Sequence, residues 1–185
     1  MKALRLAFKG LSILVWRLRH HGLRVTFAWA WTRLYLWTAR RPVLRYCLVT
    51  PQLCVGGQIN ARGWRWLAEQ GFTADVNMRS ELDDTSLGIE PEAYLWLPTH
   101  DDHAPTLEQL ATGVAFIRQA IEGGAKVYVH CASGVGRAPT MAAAYLISTG
   151  LRPDQAWALI RKTRPFVKPT QPQLAVLEQF ATDEE

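Results

Sequence analysis

Apolar positions recur along this chain with two periods, and the change between them divides it. In the first 45 residues they follow helical spacing. Leu23, Phe27, Ala30, Leu34 and Trp37 fall three or four residues apart, although Trp29 and Trp31 lie off that stripe. From Arg45 onward, short apolar runs alternate with amphipathic stretches, which predicts an α/β domain. Residues 46–49 and 53–55 read as strands, and Gly56-Gly57 turns the chain after them. Asn60 caps a predicted helix through Trp64, Trp66 and Leu67 to Gln70, where Gly71 stops it. Residues 74–78 and 94–97 are the next strands, separated by an acidic, irregular loop over 81–92.

In the second half, Thr106 and Gln109 form a capping-box pair ahead of Leu107, Leu110, Val114, Ile117 and Ile121, and Gly123-Gly124 ends that helix. Residues 126–129 form a short apolar strand. A loop of small residues follows, then a helix over 139–148. Pro153 with Asp154 opens another helix, and Thr170 with Pro172 opens the last. The domain organisation is therefore an extension over 1–45 and one folded domain over 46–185.

Composition changes this picture in one respect. The 185 residues are 49% hydrophobic and 20% charged, enough to bury a core, and the formal net charge is +5. That charge is unevenly spread. Residues 1–68 hold twelve Lys or Arg and no acid, whereas the remainder has nine basic and sixteen acidic residues. Basic residues mixed with Trp16, Trp29, Trp31 and Trp37 suit an anionic membrane surface, where indole rings sit at headgroup level. A helical extension packed on the domain is the structural alternative. Nucleic acid is not expected, because no recognition motif accompanies the charge.

The apolar run after Lys9 is short and lacks a cleavage pattern, so no cleaved signal peptide is expected. Residues 25–39, broken by Arg33, fall short of the roughly 20 apolar residues that span a bilayer. The three cysteines, Cys47, Cys54 and Cys131, include no Cys-x-x-Cys pair. Neither a disulfide framework nor a zinc site is expected, and a cytoplasmic location, open to peripheral attachment at a membrane's cytoplasmic face, follows.

The chemistry lies in His130-Cys131-Ala132-Ser133-Gly134-Val135-Gly136-Arg137, between a predicted strand and a predicted helix. A turn there aims several backbone N–H groups at one point, and the helix dipole adds positive potential. Gly134 and Gly136 let the backbone approach a ligand. Such a cradle suits a phosphate. Cys131 would attack phosphorus in line, Arg137 would hold two oxygens through its planar fork, and a cysteinyl-phosphate would then be hydrolysed by water without a metal. His130, Ala132, Ser133, Gly134, Val135 and Gly136 would surround the substrate phosphate, with His130 orienting the loop by a hydrogen bond. A general acid must protonate the leaving alcohol, and Asp101 and Asp102, just after the predicted strand 94–97, are the candidates. His100 and His103 beside them make only a weak metal pattern. No metal and no cofactor are expected.

His130, Cys131 and Arg137 match the His-Cys-x5-Arg signature of the cysteine-dependent dual-specificity phosphatases, which the chain resembles over roughly residues 46–182. The stretches Val55-Gly56-Gly57-Gln58 and Val76-Asn77-Met78-Arg79 resemble that family as well. The resemblance implies a central twisted mixed sheet flanked by helices, a Cys131 nucleophile, Arg137 on the phosphate, and Asp101 as general acid. It also implies a phosphorylated protein as substrate. One position departs from the pattern: Ala138 stands where the family usually has Ser or Thr, whose hydroxyl assists release of the thiolate. A pseudophosphatase that only binds phosphate is the reading which that departure favours. Residues 105–108 and 140–147 resemble the phosphatidylglycerophosphate phosphatases of the same superfamily, which implies a phospholipid substrate as the alternative. The signature loop itself has no extra basic residue for a polyanionic headgroup.

Overall fold

The computed structural model describes residues 2–183. Side chains of residues 2–14, 16 and 21 are outside that description, and with them the positions named above at Lys9 and Trp16. Four strands, β1 (Leu53–Gly57), β2 (Phe72–Arg79), β3 (Ala93–Thr99) and β4 (Lys126–Cys131), pair in the order β1-β4-β2-β3, all parallel. One antiparallel bridge from Leu48 to Cys54 adds a mixed edge. Parallel neighbours need long crossovers, which helices usually supply. The helix α2 (Ala61–Glu69) joins β1 to β2, and α3 (Leu107–Glu122) joins β3 to β4. After β4 come α4 (Arg137–Ser148), α5 (Pro153–Thr163) and α6 (Gln171–Asp183). The extension is helix α1 (Lys2–Ala39), kinked at Gly22, where φ is 75°.

Both faces of the sheet are covered, as the period of two along each strand requires. Val127 and Val129 of β4 join Leu53, Val55, Val76 and Met78 in a core against α3, α4, α5 and α6. Tyr128 turns the other way and packs with Cys54, Phe72, Trp64 and Leu67 in a second core under α2. Helix α4 is buried from Arg137 to Ile147. Its three consecutive alanines, Ala142, Ala143 and Ala144, let neighbouring helices and strands approach it closely. Because all four strands are parallel, the segments after Gly57, Arg79, Thr99 and Cys131 leave the same edge of the sheet. That edge carries the site.

Several local expectations are corrected. Residues 46–49 are not a strand: Tyr46 and Cys47 close a 3-10 turn onto Val43 and Leu44, and only Leu48 pairs with the sheet. Gly56 and Gly57 do not turn the chain but lie within β1, where a Cβ on Gly56 would overlap the Tyr128 ring of the neighbouring strand. The acidic loop contains a 3-10 turn at Asp84–Leu87. Cys47 and Cys54 form a disulfide, with Cα atoms 4.8 Å apart, leaving Cys131 as the free cysteine. Tertiary folding brings them together, since the turn at 44–46 doubles back on β1 and the Val55 N–H donates to the Cys47 carbonyl at 2.8 Å. The expectation of a cytoplasmic location, so far as it rested on unpaired cysteines, loses that support. Among the described residues no helix is long and apolar enough to cross a membrane.

Candidate active site

Residues 132–136 form a tight loop between β4 and α4, and its shape follows from where its carbonyls go. The carbonyl of Ala132 accepts from Gln58 N–H at 3.3 Å, that of Val135 from Lys168 N–H at 2.7 Å, and that of Gly136 from the Thr140 hydroxyl at 3.0 Å. Gly134 O accepts twice from Arg164, from Nε at 3.1 Å and Nη2 at 2.9 Å. A trans peptide points its carbonyl and the next N–H in opposite directions. Four carbonyls held outward therefore turn the following amides, including Ser133, Val135, Gly136 and Arg137, toward the concave side. The Gly134 N–H donates to Cys131 Sγ at 3.3 Å. Gly134 has φ of 66°, and a Cβ there would collide with the Gly56 carbonyl, so the turn demands glycine at this position.

Arg137 opens α4 and is almost completely buried. Its Nη1 donates to Thr99 O at 2.7 Å and to Glu81 Oε2 at 2.9 Å, and its Nη2 lies 3.0 Å from Glu81 Oε1 and 2.8 Å from Asp101 Oδ1. Nε is buried and has no acceptor among the described residues. Asp101 is exposed, whereas Asp102 adopts φ of 62° with its carbonyl held by the Thr170 hydroxyl. Gln173 on α6 donates to His103 O at 2.8 Å, so the loop after β3 is fastened to the start of α6.

The structure thus brings Cys131, Arg137 and Asp101 to one edge of the sheet, Cys131 and Arg137 from the end of β4 and the loop beyond it and Asp101 from the loop after β3. Glu81, which the sequence placed in an irregular loop, joins this edge through its two contacts with Arg137. The signal for it was its place just after β2, the same reasoning that singled out Asp101 after β3. The Arg137 guanidinium holds the Glu81 carboxyl down at about 2, against its usual value of 4.5.

His130 faces away from the concave side. It is fully buried, stacked on Tyr128, with Nε2 2.6 Å from Asp84 Oδ2 and 3.6 Å from Asp75 Oδ2. Its part in the site is indirect, through the backbone it shares with Cys131. Burial works against its protonation, yet the two carboxylates prevail and raise its pKa to about 10. Burial pushes Asp75 up to about 6 against the opposing pull of His130. These three side chains have metal-ligand chemistry and lie within 4.8 Å of one another, but the histidine nitrogen is already engaged by Asp84, which makes the group an ion-pair cluster. Behind the loop, burial draws buried Arg164 down to about 10, so it remains cationic at neutral pH. Neither Asp75, Asp84 nor Arg164 stands out in the sequence, since each owes its role to burial.

The family model for the dual specificity phosphatase catalytic domain matches residues 53–183. Dual specificity protein phosphatase 5 of Rattus norvegicus is 31% identical over 140 residues, a region covering 73% of this chain and 35% of the relative. The chain therefore spans about a third of that relative's length. Phosphatidylglycerophosphatase and protein-tyrosine phosphatase 1 of Homo sapiens is 42% identical over 77 residues, covering 41% of this chain and 38% of the relative. A crystal structure of PTPMT1 in complex with PI(5)P superposes with a TM-score of 0.65 at 28% identity, covering 74% of this chain and 94% of that one. With the signature loop, the parallel sheet and the match over most of its length, the chain belongs to the cysteine-dependent dual specificity phosphatase family.

Proposed function

We propose that this chain hydrolyses phosphomonoesters through a cysteinyl-phosphate on Cys131. The Cys131 sulfur attacks phosphorus while the bond to the leaving oxygen breaks, and Asp101 donates a proton to that oxygen. Water then attacks the phosphocysteine, Asp101 takes its proton, and the thiolate departs. Arg137 and the inward amides of the loop stabilise the equatorial oxygens throughout. The observation that carries this reading is Arg137 Nε, a buried donor without an acceptor among the described residues, beside a loop four of whose carbonyls are bound on the outside. A phosphate oxygen supplies the missing partner.

The resemblance to rat dual specificity protein phosphatase 5 supports phosphotyrosine and phosphoserine or phosphothreonine in proteins as substrates. A second reading, a phospholipid monoester, is favoured by the 42% local identity to a human phosphatidylglycerophosphatase and by the likeness to a structure bound to PI(5)P. Ala138, fully buried behind the loop, is the feature that favours binding without turnover.

The test is phosphate release from an aryl phosphate, with a chelator present, by the wild type and by Cys131→Ser. We expect turnover in the wild type and its loss in the variant. Equal activity in both, or a requirement for added metal, would overturn the cysteine mechanism.

A further inference from the structure

Helix α1 is apolar on the side it turns away from the domain. Thr32 and Leu36 face β1 and the catalytic loop, Leu36 packing on the second core. On the opposite side Leu23 is 78% exposed and Phe27 72%, with Leu34 and Trp37 also exposed. These positions, with Ala30 between them, form one continuous stripe at three- and four-residue intervals. At about 100° per residue, Arg24 falls on one border of the stripe and Arg33 on the other, and both are exposed. No acidic residue occurs before Glu69, so nothing acidic on the helix offsets this charge. An exposed apolar stripe edged with guanidinium groups and carrying Trp37 complements an anionic lipid surface.

The same helix reaches the catalytic loop. A cavity of about 420 Å³ has Arg33, Leu34, Trp37 and Arg40 on its α1 side and Gln58 and Ala132 on the other. Ala132 directly follows Cys131. Neither Arg33 nor Arg40 forms an ion pair among the described residues. Inside the loop, the positions between Cys131 and Arg137 are all uncharged. The cations that a doubly anionic substrate needs beside the reacting phosphate therefore come from α1 and the residue that follows it. Leu34 and Trp37 belong both to the cavity wall and to the exposed stripe, so the route from the stripe to the loop is continuous.

We infer that the stripe of α1 seats the domain on an anionic phospholipid bilayer, and that Arg33 and Arg40 hold a second anionic group of a phospholipid monoester whose terminal phosphate enters the catalytic loop. This rests on the phosphomonoesterase reading and names its substrate class. A phosphopeptide would leave the apolar stripe without a use.

Two measurements on the full chain test it. The first is cosedimentation with vesicles of phosphatidylcholine alone and of phosphatidylcholine with phosphatidylglycerol. The wild type binds the anionic vesicles, and Leu23→Glu with Phe27→Glu, at two strongly exposed sites that leave the core untouched, lowers the partition coefficient by about tenfold or more. The second is the ratio of hydrolysis rates for vesicle-borne phosphatidylglycerophosphate and for p-nitrophenyl phosphate. Arg33→Ala with Arg40→Ala lowers that ratio by about tenfold, the loss of one charge-assisted contact. Equal partition of the wild type to both vesicles, an unchanged ratio in the arginine variant, or faster turnover of phosphopeptides than of the lipid would each overturn the inference. A wild type that cleaves no aryl phosphate contradicts the phosphomonoesterase reading instead, and the vesicle partition then still decides the docking.

Discussion

Glu81 grips Arg137 with both carboxylate oxygens, Oε2 to Nη1 at 2.9 Å and Oε1 to Nη2 at 3.0 Å. A planar guanidinium held in this fashion by one carboxylate has a fixed plane, which leaves Nε free to meet a phosphate. The carboxylate comes from the end of β2 and the guanidinium from the start of α4, so the pair also ties sheet to helix at the catalytic edge. Glu81→Ala should lower kcat/KM for an aryl phosphate by about 10- to 100-fold, because small displacements of a positioning group are costly. Glu81→Gln should recover part of that loss. Steady-state kinetics of the two variants provide the check, and wild-type values in Glu81→Ala would remove Glu81 from the site.

Asp101 and Asp102 make a sharper comparison. The Asp101 carboxylate is exposed and within 2.8 Å of Arg137 Nη2, whereas Asp102 is held by its backbone in a left-handed turn. Asp101→Asn should reduce turnover of an alkyl phosphate by about 100-fold or more, and of an aryl phosphate much less, since the better leaving group needs little protonation. Asp102→Asn should have a small effect on both. A larger loss at Asp102 would reverse the assignment of the acid.

Ala138 bears on the second chemical step. With no hydroxyl next to Arg137, release of the thiolate from phosphocysteine should be slow relative to its formation. Rapid-mixing experiments on the wild type should therefore show a burst of product followed by a slower steady state. Ala138→Ser should raise the steady-state rate several-fold, by about 1 kcal/mol of hydrogen bonding to the departing sulfur. If no burst appears and the serine variant is no faster, hydrolysis of the intermediate does not limit turnover.

The buried cluster on the other face of the sheet predicts a pH dependence of stability. His130 titrates at about 10 in the folded chain, above its usual 6.5, so its contribution is present in full below pH 6.5 and disappears as pH rises through about 10. Asp75, raised to about 6, acts in the same direction at lower pH, because ionising it in the folded state is unfavourable. Urea unfolding should show stability declining from about pH 5 to pH 10, and Asp75→Asn should flatten the portion near pH 6. Asp84→Asn, which leaves a buried imidazolium with one distant partner, should cost about 3–5 kcal/mol near neutral pH. A flat profile in the wild type would mean that His130 is neutral.

The sequence by itself determined the α/β architecture, the caps at Asn60 and Thr106, and the place of the glycine-containing signature loop between β4 and α4. These are short-range matters. Asn60 accepts from the Gly63 N–H three residues on, and Thr106 with Gln109 forms both halves of its capping box. The loop was legible because its His-Cys-x5-Arg signature lies in one run over residues 130–137. Tertiary structure alone decided the rest. It placed Glu81 on Arg137 across 56 residues and Arg164 on Gly134 across 30, and it joined Cys47 to Cys54 by folding a 3-10 turn back on β1. It also put Gly56 inside a strand because the ring of Tyr128 comes from a neighbour 72 positions away. The charged stripe of α1 was visible as a pattern, but periodicity specifies which residues share a face and not which way that face points. Packing against the domain, through Leu36 on the second core, buried Thr26 and Ala28, and Arg17 donating to the Phe166 carbonyl, turned Leu23, Phe27, Leu34 and Trp37 outward.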